Sequence, residues 1–113
     1  YTLKAGANTV GIEDDDLTII PQSINIESVY PNPFNPQVTI QYNSSQFGTV
    51  KVQVYDLQGR LVKNLFNSLQ EQGLHSISWD ATSDQGQIVT SGTYFLKISD
   101  GSSVAFKQLT LLR

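Results

Sequence analysis

A proline-rich segment at residues 30–36, Tyr-Pro-Asn-Pro-Phe-Asn-Pro, restricts the fold more than any other part of the sequence. Its three prolines fix the backbone φ angle three times and remove three main-chain donors, so the segment cannot lie inside a sheet. The residue before each proline is pushed toward an extended conformation, and asparagine tolerates turn geometry. We therefore predict a stiff elbow at the entrance of a β-domain, with Tyr30 and Phe34 as its apolar anchors.

Composition and charge limit the partners that the chain can bind. The net charge is −3 and the isoelectric point is near 4.8, which disfavours nucleic acid and anionic membrane surfaces. The absence of cysteine excludes disulfides, a thiol nucleophile and thiolate metal sites. No apolar run reaches the roughly 20 residues of a membrane-spanning helix, and no signal peptide is recognisable. Because the sequence contains no methionine, we expect it to be a fragment of a longer protein.

Apolar and polar residues alternate with a period of two from residue 23 to the C-terminus, which is the pattern of half-buried β-strands. The predicted strands cover residues 24–27, 38–43, 50–55, 61–66, 73–79, 94–98 and 104–111. No stretch predicts a convincing helix. Short strands joined by turns predict an all-β fold, an antiparallel Ig-like β-sandwich of about seven strands. We assign residues 23–113 to this domain.

Residues 1–22 lack the alternation and are interpreted as a linker or as the tail of an upstream domain. Glycines and the acidic run at residues 13–16 interrupt any periodicity, and Pro21 closes the segment. The run, which includes Asp14 and Asp16, is favoured as a hydrated linker over a calcium loop, because it lacks the spaced ligands and turn glycine of an EF-hand. An exposed linker of this kind would suit proteolytic cleavage.

Connections between the strands carry recognisable turn signals. Asp56 and Gly59 stand first and fourth in a predicted type I turn with a left-handed glycine. Asp100-Gly101 predicts a two-residue hairpin, and residues 67–72 form at most one helical turn. The apolar phase of the last strand changes at residues 107–108, which predicts a bulge or a strand contacted on both faces.

Candidate catalytic and metal-binding residues are few. His75, the only histidine, shares a strand face with Ile77 and Trp79, so we interpret it as a packed core residue rather than a general base. A zinc site needs three or four ligands, and one histidine without cysteine disfavours it. Asp80 and Asp84, with Asp100 or backbone carbonyls, are either turn-forming residues, which we prefer, or calcium ligands. With no nucleophile elbow or phosphate-binding glycine loop, we predict that the domain is not an enzyme and binds no cofactor.

Short motifs follow one another in a fixed order along the chain. They comprise Tyr30, Pro31, Asn32, Pro33, Phe34, Asn35, Pro36, Asp56, Gly59, Arg60, Gly73, His75, Trp79, Gly86, Ser91, Gly92 and Tyr94, and then a Lys107-led apolar tail that ends in Arg113. In this order the chain resembles the type A C-terminal sorting domain of the type IX secretion system, over about residues 26–113. Related Ig-like domains of flagellar hook-assembly proteins share parts of the pattern, but the C-terminal lysine and apolar tail favour the sorting family.

The resemblance implies a role outside catalysis. Such domains direct a cargo protein, attached on their N-terminal side, from the periplasm across the outer membrane of a Gram-negative bacterium. The implied partners are the outer-membrane translocon, its shuttle proteins and a sortase-like surface cysteine peptidase. That peptidase commonly removes the domain and joins the cargo to an anionic lipopolysaccharide at the cell surface.

The C-terminal strand contains our candidates for the recognised end: Lys107, Leu109, Leu111 and Arg113. An edge strand offers unpaired backbone groups to which a partner can add a strand. The alternative is that the two leucines are core residues and the two cations solvate an edge.

Two other classes of function remain open at this point. A carbohydrate-binding module would need a row of exposed aromatic residues, for which Tyr55 and Phe95 are the candidates. The commoner fate of such residues is to cover each other as a cross-strand pair. A mechanical Ig-like spacer would not need the ordered C-terminal tail.

Overall fold

Seven β-strands joined by turns form residues 24–113, the part of the chain that the computed structural model describes. They are β1 (Asn25–Tyr30), β2 (Val38–Ser44), β3 (Gly48–Tyr55), β4 (Leu61–Gln70), β5 (Gly73–Trp79), β6 (Gly92–Ser99) and β7 (Val104–Leu111). All pair antiparallel, in a three-stranded sheet of order β1-β2-β5 and a four-stranded sheet of order β4-β3-β6-β7. This arrangement confirms the predicted all-β sandwich.

The boundary that we predicted at residue 23, together with the acidic run at residues 13–16, lies outside the described residues. Both therefore stay predictions. Within residues 24–113 there is no helix long and apolar enough to cross a membrane.

The core lies between the two sheets and follows the period-two pattern of the sequence. Its largest contributions come from alternate residues of β2, β3 and β6, all buried: Val38, Ile40, Tyr42, Val50, Val52, Val54, Tyr94, Leu96 and Ile98. In a pleated strand, successive side chains point to opposite faces, so each of these strands covers the core with one face only. The register therefore fixes which side chains reach the outer face.

The predicted turn after β3 is confirmed. Gly59 has a φ of +86°, and its N–H donates to the Asp56 carbonyl at 3.0 Å. The Asp56 carboxylate accepts from the N–H groups of Gln58 and Arg60, at 3.0 and 2.9 Å, and so fixes the loop from inside. The hairpin after β6 is also present, but four residues, Asp100 to Ser103, separate the strands instead of the predicted two.

One prediction about strand length was wrong, and of the two alternatives for β7 the bulge is excluded. β4 continues to Gln70, so residues 67–70 extend the strand instead of forming a helical turn. β7 has no bulge, because its register with β6 is unbroken from Val104 to Leu111. The apolar phase changes because Val104 and Phe106 lie on the outer face, whereas Leu109 and Leu111 lie in the core.

Candidate functional site

The C-terminal strand β7 lies at an edge of the four-stranded sheet, paired with β6 on one side only. Of its predicted recognition residues, Leu109 and Leu111 are fully buried in the core. Lys107 and Arg113 are exposed. The structure therefore gives the four residues two different environments, and only the cations are accessible at the surface.

The proline elbow covers the C-terminal half of this edge. Phe34 donates its N–H to the Thr110 carbonyl at 2.9 Å and accepts from the N–H of Leu112 at 3.0 Å, which makes a parallel bridge to Leu111. The Asn32 amide extends the pairing, since its Nδ2 donates to the Gln108 carbonyl and its Oδ1 accepts from the Thr110 N–H, both at 3.0 Å. The elbow thus satisfies backbone groups that an edge strand would otherwise expose.

The two residues predicted to anchor the elbow have different environments. Phe34 is buried, with its ring centroid 5.6 Å from that of Trp79. The Trp79 ring in turn meets Tyr94 edge-on at 5.4 Å, so the elbow, β5 and β6 share one aromatic cluster. Tyr30 is 49% exposed, and its predicted role as an anchor was wrong. Each aromatic contact of this kind adds roughly 0.5–1.5 kcal/mol beyond area burial.

The last residue of the chain is bound to the loop between β5 and β6. The Arg113 guanidinium donates from Nε to the Val89 carbonyl at 2.9 Å and from Nη2 to the Ala81 carbonyl at 3.2 Å. Its main-chain N–H donates to Ser91 Oγ at 2.9 Å. These hydrogen bonds therefore fix the C-terminal end of β7 against the loop between β5 and β6.

That loop is organised around Trp79. The indole Nε1 donates to the Thr82 carbonyl at 2.9 Å, and Ala81, fully buried, has a φ of +64°. The Ala81 carbonyl also accepts from the Val89 N–H at 3.0 Å. Gly86, at φ +82°, closes the turn by donating to the Ser83 carbonyl at 2.9 Å. The predicted motif residues Trp79, Gly86 and Ser91 thus belong to one loop that receives the C-terminus.

Other motif residues stabilise turns away from β7. Arg60 Nε donates to Asp56 Oδ2 at 2.9 Å, and the hydrogen bonds from Arg60 hold the pKa of the Asp56 carboxyl below its ordinary value. His75 is half-buried beside Tyr42, with its Nε2 2.6 Å from the Glu71 carbonyl. It lies on the inward-facing side of β5, as predicted, but near the start of the strand and outside the buried core, so its predicted role as a core residue was wrong. Gly73 and Gly92 begin their strands with φ values of +126° and +151°.

No metal-binding group of three or more His, Cys, Asp or Glu residues occurs in residues 24–113. The candidate calcium ligands instead accept hydrogen bonds from the protein. Asp80 Oδ1 accepts from the Thr82 hydroxyl at 2.6 Å, and this bond lowers the pKa of Asp80. Asp84 Oδ1 accepts from the Asn64 N–H at 3.0 Å and so caps the edge of β4. Asp80 thus has the turn-forming role that we preferred, whereas Asp84 links its loop to β4.

Three aromatic residues meet on the outer face of the four-stranded sheet. Tyr55 and Phe95 are register partners on β3 and β6, as expected for a cross-strand pair. Phe106 of β7 is 65% exposed and, with them, Gly59 and Lys97, lines a shallow groove of about 560 Å³. Sequence reasoning missed Phe106, although strict alternation back from Leu111 places it on the outer face. It named Asn32 as a motif residue but missed its role, which depends on a contact 76 residues away.

Comparisons with known proteins agree with this arrangement. The family model described as the secretion system C-terminal sorting domain matches residues 28–111, which include both the elbow and β7. No curated protein sequence matches the chain.

Solved structures contain similar folds. A crystal structure of dimeric latent PorU from Porphyromonas gingivalis is similar over 91% of this chain and 10% of that one, at 21% identity and a TM-score of 0.63. PorZ, a surface component of the type IX secretion system of the same organism, is similar over 78% of this chain and 11% of that one, at 26% identity and a TM-score of 0.56. FlgD from Xanthomonas campestris is similar over 77% and 64%, at 20% identity and 0.54.

The chain spans about a tenth of the length of the PorU and PorZ chains that it matches. The family match, by contrast, covers most of the described residues, including the elbow and β7. The chain belongs to the secretion system C-terminal sorting domain family, whose members are the sorting signals of type IX secretion.

Proposed function

We propose that this domain is the address by which a larger cargo protein, attached on its N-terminal side, is exported across the outer membrane of a Gram-negative bacterium. The observation that carries the proposal is the family match over residues 28–111. The domain itself is non-catalytic in this account. In support, Asp56 and Asp80 accept hydrogen bonds within their turns.

The partners in this proposal are the components of the type IX machinery. The outer-membrane translocon and its shuttle proteins recognise the folded sandwich in the periplasm. A sortase-like surface cysteine peptidase then separates the domain from its cargo, within residues 1–22, and the cargo stays at the cell surface. The acidic composition of that segment supports cleavage there, because a hydrated linker gives a protease an accessible backbone.

The recognised end is the C-terminal strand, with separate roles for its residues. Leu109 and Leu111, both fully buried, fix the position of the strand. Lys107 is exposed and forms no hydrogen bond or ion pair within residues 24–113, so its ammonium group is available to a partner. Arg113 contributes by binding the backbone of the β5–β6 loop, which keeps the strand in register.

Single substitutions separate recognition from folding. A secreted reporter carrying the domain with Lys107→Ala should keep the melting temperature of the wild type but lose export. Lys51→Ala, which removes an exposed lysine from β3, is the matched control and should be exported normally. Arg113→Ala should reduce both stability and export. If the double variant Lys107→Ala with Arg113→Ala stays folded and is exported at the wild-type level, the C-terminal strand is not the recognised end.

A further inference from the structure

The N-terminal half of β7 is an open sheet edge beside an aromatic groove. We propose that this half binds an extended, acidic segment of a partner protein by strand addition. The open edge is the backbone of residues 104–108, and the aromatic groove is lined by Tyr55, Gly59, Phe95, Lys97 and Phe106. The inference rests on the proposed function, because it names the surface through which the export machinery would contact the domain.

Backbone geometry identifies which groups of the open edge are available. The N–H of Thr110 and the carbonyls of Gln108 and Thr110 point away from β6, since they pair with the elbow. Backbone groups alternate sides along a regular antiparallel strand, and β7 keeps an unbroken register. The N–H and C=O of Val104 and Phe106 therefore face the same side. Within residues 24–113 they have no strand partner there, because the elbow ends its pairing at Gln108.

The aromatic groove supplies a place for side chains of the added strand. A strand paired with β7 projects alternate side chains onto the outer face, next to Phe106 and Val104, which are 65% and 50% exposed. Phe95 and Tyr55 continue the apolar surface on the neighbouring strands. Main-chain hydrogen bonds would provide affinity, and the groove would select apolar residues at every second position.

The lysines of the larger sheet indicate which charged residues a partner segment should carry. The strands of the larger sheet, β3, β4, β6 and β7, contain Lys51, Lys63, Lys97 and Lys107 and no Asp or Glu, although the chain as a whole has a net charge of −3. Lys97 lies on the groove side, with its Nζ 5.9 Å from the Tyr55 ring centroid. Lys107 lies on the open edge with its side chain on the face opposite to Phe106, so an added strand that places apolar residues beside Phe106 places its alternate, acidic residues beside Lys107. A segment that alternates apolar and acidic residues complements this surface, and a basic segment is repelled.

A designed peptide tests the inference directly. The probe is a capped peptide of alternating valine and glutamate, about eight residues long, which spans roughly 26 Å when extended. Titrated into isotope-labelled domain of residues 1–113, it should produce saturable amide shifts at Val104, Phe106 and Gln108. A peptide with lysine in place of glutamate should bind at least about tenfold more weakly, as should one whose alternate amides are N-methylated.

Variants of the domain locate the binding. Phe106→Pro removes an outward N–H without breaking the β6–β7 ladder and should abolish binding, whereas Phe106→Ala keeps that N–H and should only weaken it. Lys107→Glu should remove the preference for the acidic peptide, because every second side chain of the added strand points to the face of β7 on which Lys107 lies. Lys63→Gln, on the opposite edge strand β4, removes a positive charge away from the open edge while keeping a donor beside the Ser83 carbonyl, and it should bind like the wild type.

The outcomes separate this inference from the proposed function. Binding that depends on Phe106 and Lys107 supports strand addition at the open edge. The absence of any saturable amide shift at millimolar peptide would overturn it. Amide shifts at Tyr55 and Phe95 that a neutral oligosaccharide produces and the peptide does not would overturn it as well. A wild-type domain that fails to export its reporter contradicts the proposed function instead, whatever the peptide does.

Discussion

Phe34 and Leu111 form a parallel bridge between the proline elbow and the last strand, although 77 residues separate them in the sequence. The bridge places the most characteristic N-terminal motif of the domain directly on its C-terminal strand. Both side chains are buried, so the contact joins the two motifs through the core as well as through the backbone. We infer that the elbow holds the C-terminal strand β7 in one position.

Removing the side-chain part of this contact should measure its strength. Asn32→Ala removes two hydrogen bonds to β7 and should lower the free energy of unfolding by about 1–3 kcal/mol, because each such bond contributes roughly 0.5–1.5 kcal/mol. Urea denaturation gives the value. Asn35→Ala, also exposed and also before a proline, is the control and should change stability little. Equal effects of the two substitutions would show that Asn32 does not hold β7.

Trp79 is the centre of the aromatic cluster, between Phe34 and Tyr94. Trp79→Ala should lower the free energy of unfolding by about 3–5 kcal/mol, since it leaves a large cavity and removes the indole that bonds to the Thr82 carbonyl. Trp79→Phe should have a smaller effect. An unchanged denaturation midpoint for Trp79→Ala would refute this placement of the core.

Gly59 tests the turn after β3. Gly59→Val should destabilise the domain by at least about 1–2 kcal/mol, because a β-branched residue resists a φ of +86°. The control is Gly48→Val, since Gly48 has no left-handed backbone and an added Cβ there meets no atom within 4 Å. Thermal denaturation of both variants compares them. If Gly48→Val is the more destabilising, conformational strain at Gly59 does not govern the turn.

Stability should fall in acid partly through Asp100. Partial burial acts to raise the pKa of this carboxyl, but hydrogen bonds from Ser102 and Ser103 outweigh it, and the pKa lies below its ordinary value. A pKa that is lower in the folded state adds stability above the unfolded pKa, near pH 4, and the gain is lost as the pH falls through the folded pKa.

Denaturation curves recorded between about pH 5 and pH 2 check this contribution. Asp100→Asn cannot lose a proton, so its stability should depend less steeply on pH over that window than the stability of the wild type. Parallel pH profiles for the two proteins would mean that Asp100 does not contribute.

The strands were predictable from sequence because burial imposes a period of two, as in Val50, Val52 and Val54. The turn at Gly59 was predictable because few residues other than glycine accept its backbone angle. Pairing across the domain was not predictable. Asn32 bonds to Gln108, 76 positions away, and Arg113 bonds to Ala81 and Ser91, 32 and 22 positions away. No local sequence pattern identifies such pairs. Tyr30 was misjudged because an aromatic side chain beside a proline carries no signal of which way it points.

The most direct test of the account is the localisation of a fluorescent protein that carries a periplasmic signal peptide and residues 1–113 at its C-terminus. It is expressed in a bacterium with a working type IX system and in a translocon-deficient sibling. We expect fluorescence at the surface or in the medium of the competent strain only. Folded reporter retained in the periplasm of both strains would contradict the claim that this domain is a sorting signal.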